Sequence, residues 1–149
     1  MDPVRTYVEE NAGSDVRATL AWLDDAGFRI TESRGGRGES FGNALLVFSG
    51  DVDVQIVRDR GQWDITVAPQ CDGRWYSLAV LAAAQAGHDW EPPERNPSAA
   101  LPDQFPPGIV WRQTLPSALE WLKLPGSATA LEQTNARARQ RMLDYLNQT

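Results

Sequence analysis

The chain has 149 residues, a formal net charge of −6, one cysteine and one histidine. That surplus of acid argues against a nucleic-acid backbone as partner, because phosphate binding needs a cationic surface. A lone cysteine cannot close an internal disulfide, and with a lone histidine it cannot furnish the usual His/Cys zinc site.

One core suffices at this length, so a single domain over residues 1–149 is expected, with no metal or disulfide staple. The start, MDPVRTYVEE, carries neither a basic n-region nor an apolar h-region, and no apolar run approaches the ~20 residues of a membrane span. A protein free of membranes, in a reducing, cytoplasmic setting, is the expectation.

Asp2-Pro3 opens a first helix, with Asp2 as cap and Pro3 at the first helical position. Val4, Tyr7 and Val8 give it an apolar stripe. Gly13 ends it, Ser14 caps a second helix carrying Val16, Leu20 and Leu23, and Gly27 stops that helix. Phe28 to Glu32 reads as a short strand, followed by the glycine-rich stretch from Arg34 to Ser40.

The stretch from Phe41 to Pro69 organises the rest. It holds three apolar runs split by Ser49-Gly50-Asp51 and by Arg58-Asp59-Arg60-Gly61, a meander signature with strands near 43–49, 52–58 and 62–68. A four-residue loop at Arg58–Gly61 would set Ile56 opposite Trp63, Val54 opposite Ile65 and Val52 opposite Val67. A Gly50-Asp51 turn would set Val47 opposite Val54 and Leu45 opposite Ile56. One face is then apolar, and the other carries Asp53, Gln55, Asp64 and Thr66, joined there by Leu46 and Phe48.

A helix from about Trp75 to Ala86 is apolar nearly all round and is expected to cross the meander, with Trp75, Leu78 and Leu81 inward. His88 to Gly108 has six prolines and no period, with Trp90, Leu101 and Phe105 as pinning points. Ile109 to Arg112 reads as a last strand, Pro116 starts a short helix to Lys123, and Ser127 caps a terminal helix to about Asn147. Leu131, Ala138, Met142 and Tyr145 form its inner stripe, with Arg137, Arg139 and Arg141 mostly outward. The fold class is therefore α+β: an antiparallel meander of 4–5 strands, packed by helices from both termini and by a central buried helix.

Sites of chemistry are scarce. The glycine loop lacks the GK[ST] ending of a P-loop and feeds a strand rather than a helix, so a hairpin loop is the simpler reading. Cys71 and His88 stand without a surrounding motif, and a nucleophile role needs an adjacency the sequence does not display. Asp51, Asp53, Asp59 and Asp64 could serve a magnesium-dependent nuclease, but the single lysine, Lys123, lies on a helix, and solvated charges are the default. No catalytic residue, metal or cofactor is assigned.

Gly42-Asn43-Ala44, followed by Val57-Arg58-Asp59-Arg60-Gly61-Gln62-Trp63, resembles a pattern of small bacterial immunity proteins, the antidotes of polymorphic-toxin and contact-dependent inhibition systems. The resemblance covers residues 41 to 76. It implies a non-enzymatic cytoplasmic protein that binds a cognate toxin domain, such as a nuclease, and blocks it. Arg58, Asp59, Arg60 and Gly61 would be a structural turn bracing the hairpin. Contact is expected from the acidic loop and the polar meander face: Asp53, Asp64, Asp89, Trp90, Glu91, Glu94 and Asp103. A small acidic secretion-chaperone-like protein that binds an effector segment is the alternative.

Overall fold

A computed structural model of the chain describes residues 2–36, 42–69, 73–90 and 109–147. Helix α1 (Pro3–Asn11) starts as its sequence directs, with Asp2 Oδ1 accepting from the Val4 amide at 2.8 Å and from the Arg5 amide at 3.4 Å. In α2 (Ser14–Asp25) the cap position belongs to Gly13; Ser14 is already helical and its side chain caps nothing. Gly27 ends that helix at φ +88°, and the Phe28 amide donates to Leu23 O at 3.0 Å. Arg5 ties the two helices together with a two-pronged pair to Asp24, at 2.9 and 2.6 Å.

Five strands follow: β1 (Arg29–Gly35), β2 (Ala44–Ser49), β3 (Asp53–Asp59), β4 (Gln62–Ala68) and β5 (Tyr76–Ser77). They form one antiparallel sheet in chain order, and with the helices the fold is α+β. The register differs from the sequence reading at both turns. Between β3 and β4, Asp59 pairs with Gln62 and Ile56 with Ile65, leaving a two-residue turn. Arg60 (φ 53°) and Gly61 (φ 78°) both take the left-handed region, as a type I′ turn requires. A non-glycine residue there is uncommon, which is why a longer loop looked natural. The Asn43 side chain holds it, its Oδ1 accepting from the Arg60 amide at 3.0 Å. This slip is by two residues, so the same side chains stay on the same face.

The β2–β3 turn slips by one, and that inverts β2. Ser49 pairs with Asp53, so Gly50, Asp51 and Val52 make a three-residue connection. Leu46 and Phe48 therefore sit beside Ile56 and Val54, fully buried, instead of on the polar face. Phe28 packs against this turn: its ring lies so close over Gly50 that a Cβ there would be 2.8 Å from it, which requires glycine at that position.

Val54, Ile56, Trp63, Ile65 and Val67 join Leu46 and Phe48 in one hydrophobic cluster with Val8 of α1 and Val16, Leu20 and Leu23 of α2. Helix α3 (Leu78–Ala86) starts three residues later than the sequence reading has it, because Tyr76 is extended and pairs with Val67. Leu78 and Leu81 are buried as expected, but Trp75 is 42% exposed. The helix packs chiefly on α4 (Trp111–Leu122) and α5 (Ser127–Leu146), reaching the sheet at β4 and β5 rather than crossing it.

The expected strand at Ile109–Arg112 is not formed: Ile109 and Val110 lead into α4, and Trp111 and Arg112 are its first residues. Asp15, on α2, accepts from the Trp111 amide at 2.7 Å and the Arg112 amide at 2.9 Å, capping α4 across 96 residues of sequence. That cap moves the helix start ahead of Pro116, which lies within the helix. Ser127 likewise caps nothing; its hydroxyl donates to Leu122 O at 2.9 Å, fastening the end of α4 to the start of α5. Leu131, Thr134 and Ala138 form the buried stripe of α5, with Met142 half-buried. Among the described residues no helix is long and apolar enough to cross a membrane.

Candidate functional site

Alternation puts Leu45, Val47, Asp53, Gln55, Val57, Asp64 and Thr66 on the sheet face opposite the core. Thr66 Oγ1 donates to Gln55 Oε1 at 3.3 Å across the two central strands. Asp64 stands where this face meets the helices and lines two adjoining hollows. One, of about 290 Å³, lies among Gln55, Val57, Gln62 and Thr66. The other, of about 250 Å³, lies between β4 and α5, with Trp90, Ser77, Asn135, Arg139 and Met142 around it.

The Asp64 carboxylate accepts from the Ile65 amide at 2.8 Å, and no ion pair is formed with it among the described residues. Burial pushes its carboxyl above the ordinary value of 3.8, with the Ile65 hydrogen bond opposing. A raised folded value means that protonation stabilises the fold. The contribution is fully present below pH 3.8 and is lost as the pH rises through the folded value. Asp64→Asn, which keeps an acceptor for Ile65 but discards the charge, is therefore expected to raise the urea midpoint at pH 7. The gain should fade on acidification; an unchanged or lower midpoint at pH 7 would count against the assignment.

Trp90 is half-buried, packed against the core and facing the same hollow as Asp64. Two of the residues singled out by sequence thus come together. Asp89 is already engaged, with Arg137 Nε 2.5 Å from its Oδ1. Asp53 is half-buried at the far end of the face, paired in the ladder with Ser49 and Ala68. Glu91, Glu94 and Asp103 lie outside the described residues, as does Cys71. His88 is exposed, its Nδ1 3.1 Å from Asp89 O. Sequence reasoning missed Asn135, Arg139 and Met142 as neighbours of Asp64, because only the docking of α5 brings them there.

The two separated segments that carry the immunity-protein resemblance also converge. Ala44 pairs with Arg58 in the ladder, and Asn43 holds the turn at Arg60. Arg58 Nη1 donates to the Tyr7 hydroxyl at 2.8 Å, and that hydroxyl donates to Gly42 O at 3.0 Å. The Arg58 guanidinium lies 5.9 Å from the Tyr7 ring centroid and 5.7 Å from that of Trp63, within cation–π range of both. Arg58 therefore binds helix α1 to the sheet, a wider role than bracing its own hairpin. Asp59 is exposed and only 3.9 Å from the Arg60 guanidinium, an arrangement worth little.

A larger groove, of about 490 Å³, opens elsewhere between Trp22, Phe28, Val52, Pro69, Pro116 and Leu119. Asp51, Glu120 and Lys123 stand at its rim, with Lys123 Nζ 3.0 Å from Glu120 Oε1. Among the described residues no group of three or more His, Cys, Asp or Glu side chains is arranged to hold a metal ion. No family model, curated protein or solved structure matches the chain significantly.

Proposed function

We propose that this protein works by binding rather than catalysis: as a cytoplasmic immunity protein, it captures a cognate toxin domain and blocks it. The observation that carries the reading is the convergence of Gly42–Ala44 with Val57–Trp63. Residues that look like a family pattern in the sequence form one hydrogen-bonded unit joining α1, β2, β3 and β4. The rest of the support is surface chemistry. The face beyond the core carries Asp53 and Asp64, with Trp90 beside Asp64, in a chain of net charge −6. Such a face suits a basic partner, since complementary charge speeds capture, and a tryptophan at its edge is a common energetic anchor.

The test is co-expression with the protein encoded by the neighbouring gene, scored by its toxicity, by rescue of viability and by recovery of a complex. The parent protein is expected to rescue growth and to co-purify. Trp90→Ala should weaken capture roughly thirty-fold, the effect of losing one anchor worth about 2 kcal/mol. Absence of both rescue and complex would overturn the reading.

A further inference from the structure

Asp64 presents a carboxylate in an awkward place. It sits at the mouth of a cavity of about 250 Å³ whose walls include Trp90, Met142, Ala79 and Val80, and α5 closes one side. A charge so placed loses hydration and, among the described residues, gains no counter-ion, which costs stability unless something else supplies one. Arg139 lines the same cavity, yet it is exposed and forms no ion pair with Asp64. It is the only other charged group around this cavity among the described residues; Asp59 lines the adjoining hollow on the sheet face. The chain thus holds an acceptor, an aromatic wall and room for one long side chain, and among the described residues no cation is paired with Asp64.

We infer that the hollow between β4 and α5 receives an arginine side chain of the protein partner, with Asp64 accepting from the guanidinium and Trp90 flanking it. The guanidinium fits this chemistry better than an ammonium does. It is planar, presents parallel N–H donors to a carboxylate, stacks on aromatic faces and is less costly to desolvate. Its aliphatic stem would lie along Met142 and Val80, apolar surface that the long stem of an arginine can cover. The raised carboxyl of Asp64 has a consequence here: the empty site takes up a proton at a less acid pH than an exposed aspartate would, and affinity begins to fall there.

The inference rests on the reading of this protein as a toxin binder, and its test is made on the protein alone so that the two can fail separately. A capped peptide, acetyl-Ala-Arg-Ala-amide, is titrated into the labelled protein and followed by the Trp90 indole and Ile65 amide resonances. Saturable shifts at both are expected at pH 7, with the citrulline counterpart producing none. Asp64→Asn should weaken binding about tenfold or more, the loss of one charge-assisted acceptor. Its spectrum also reports that the variant is folded. Arg139→Gln, which removes a like charge from the rim, should bind as tightly as the parent or more so. Equal binding by Asp64→Asn, equal binding of the citrulline peptide, or loss of binding in Arg139→Gln would each overturn the inference. Failure of the peptide alongside intact rescue of growth would overturn this site and leave the immunity reading standing.

Discussion

Trp63→Ala is expected to cost about 3–5 kcal/mol, the range for deleting a fully buried large aromatic side chain. Trp63 is 2% exposed, paired with Arg58 close to the β3–β4 turn. The cavity is one part of the loss. The other is Arg58, whose guanidinium stacks between Trp63 and Tyr7 and whose Nη1 holds the Tyr7 hydroxyl at 2.8 Å. Without the indole, one wall of that stack is gone and the anchor of α1 loosens with it. Equilibrium urea unfolding followed by far-UV circular dichroism gives the number. Trp75→Ala provides the contrast: at 42% exposure it should change stability by no more than ~0.5 kcal/mol. A similar loss from both tryptophans would mean the core is not where the structure has it.

The second large effect belongs to Asp15. Asp15→Ala removes two hydrogen bonds, to the Trp111 amide at 2.7 Å and the Arg112 amide at 2.9 Å. A charged acceptor at a helix N-terminus is worth more than a neutral cap, and Trp111 is completely buried, so its amide would be left without water. The expected cost is about 1–3 kcal/mol. Asp15→Asn keeps one acceptor and should lose about half as much. Hydrogen exchange locates the damage: the amides of Trp111 and Arg112 should exchange faster in both variants, while those of Ile56 and Ile65 change only with global stability. Uniform acceleration across the sheet in Asp15→Asn would show that the carboxylate does something other than cap α4.

Much of the fold was legible because local chemistry and hydrophobic period agreed. Asp2-Pro3 marked the start of α1, Gly27 the end of α2, and alternation from Val54 to Val67 gave the buried face of β3 and β4. The errors share one cause, which is that long-range contacts decide them. The β2–β3 turn, packed under Phe28, is one residue longer than alternation suggests, and that inverts Leu46 and Phe48. Asn43 steadies Arg60 in a left-handed conformation and shortens another turn. Asp15 moves the start of α4 from Pro116 to Trp111, and Tyr76 joins the sheet where helix was expected. None of those partners is near in sequence. The candidate site was half legible for the same reason: Asp64 and Trp90 stood out by residue type, whereas Asn135, Arg139 and Met142 reach them only through the docking of α5.

The cap from Asp15 also bears on how such a chain can diversify. On one side, Asp89 is fastened to Arg137 of α5 and Trp90 is packed on the core; on the other, Trp111 is fastened to α2. Both ends of the intervening stretch are thus fixed by residues that lie outside it. Helix α4 is capped by Asp15, 96 positions earlier in the chain, so a substitution there is felt far away in sequence. Change at Asp15 and change at the start of α4 are therefore tied, and a lineage that alters one is expected to alter the other.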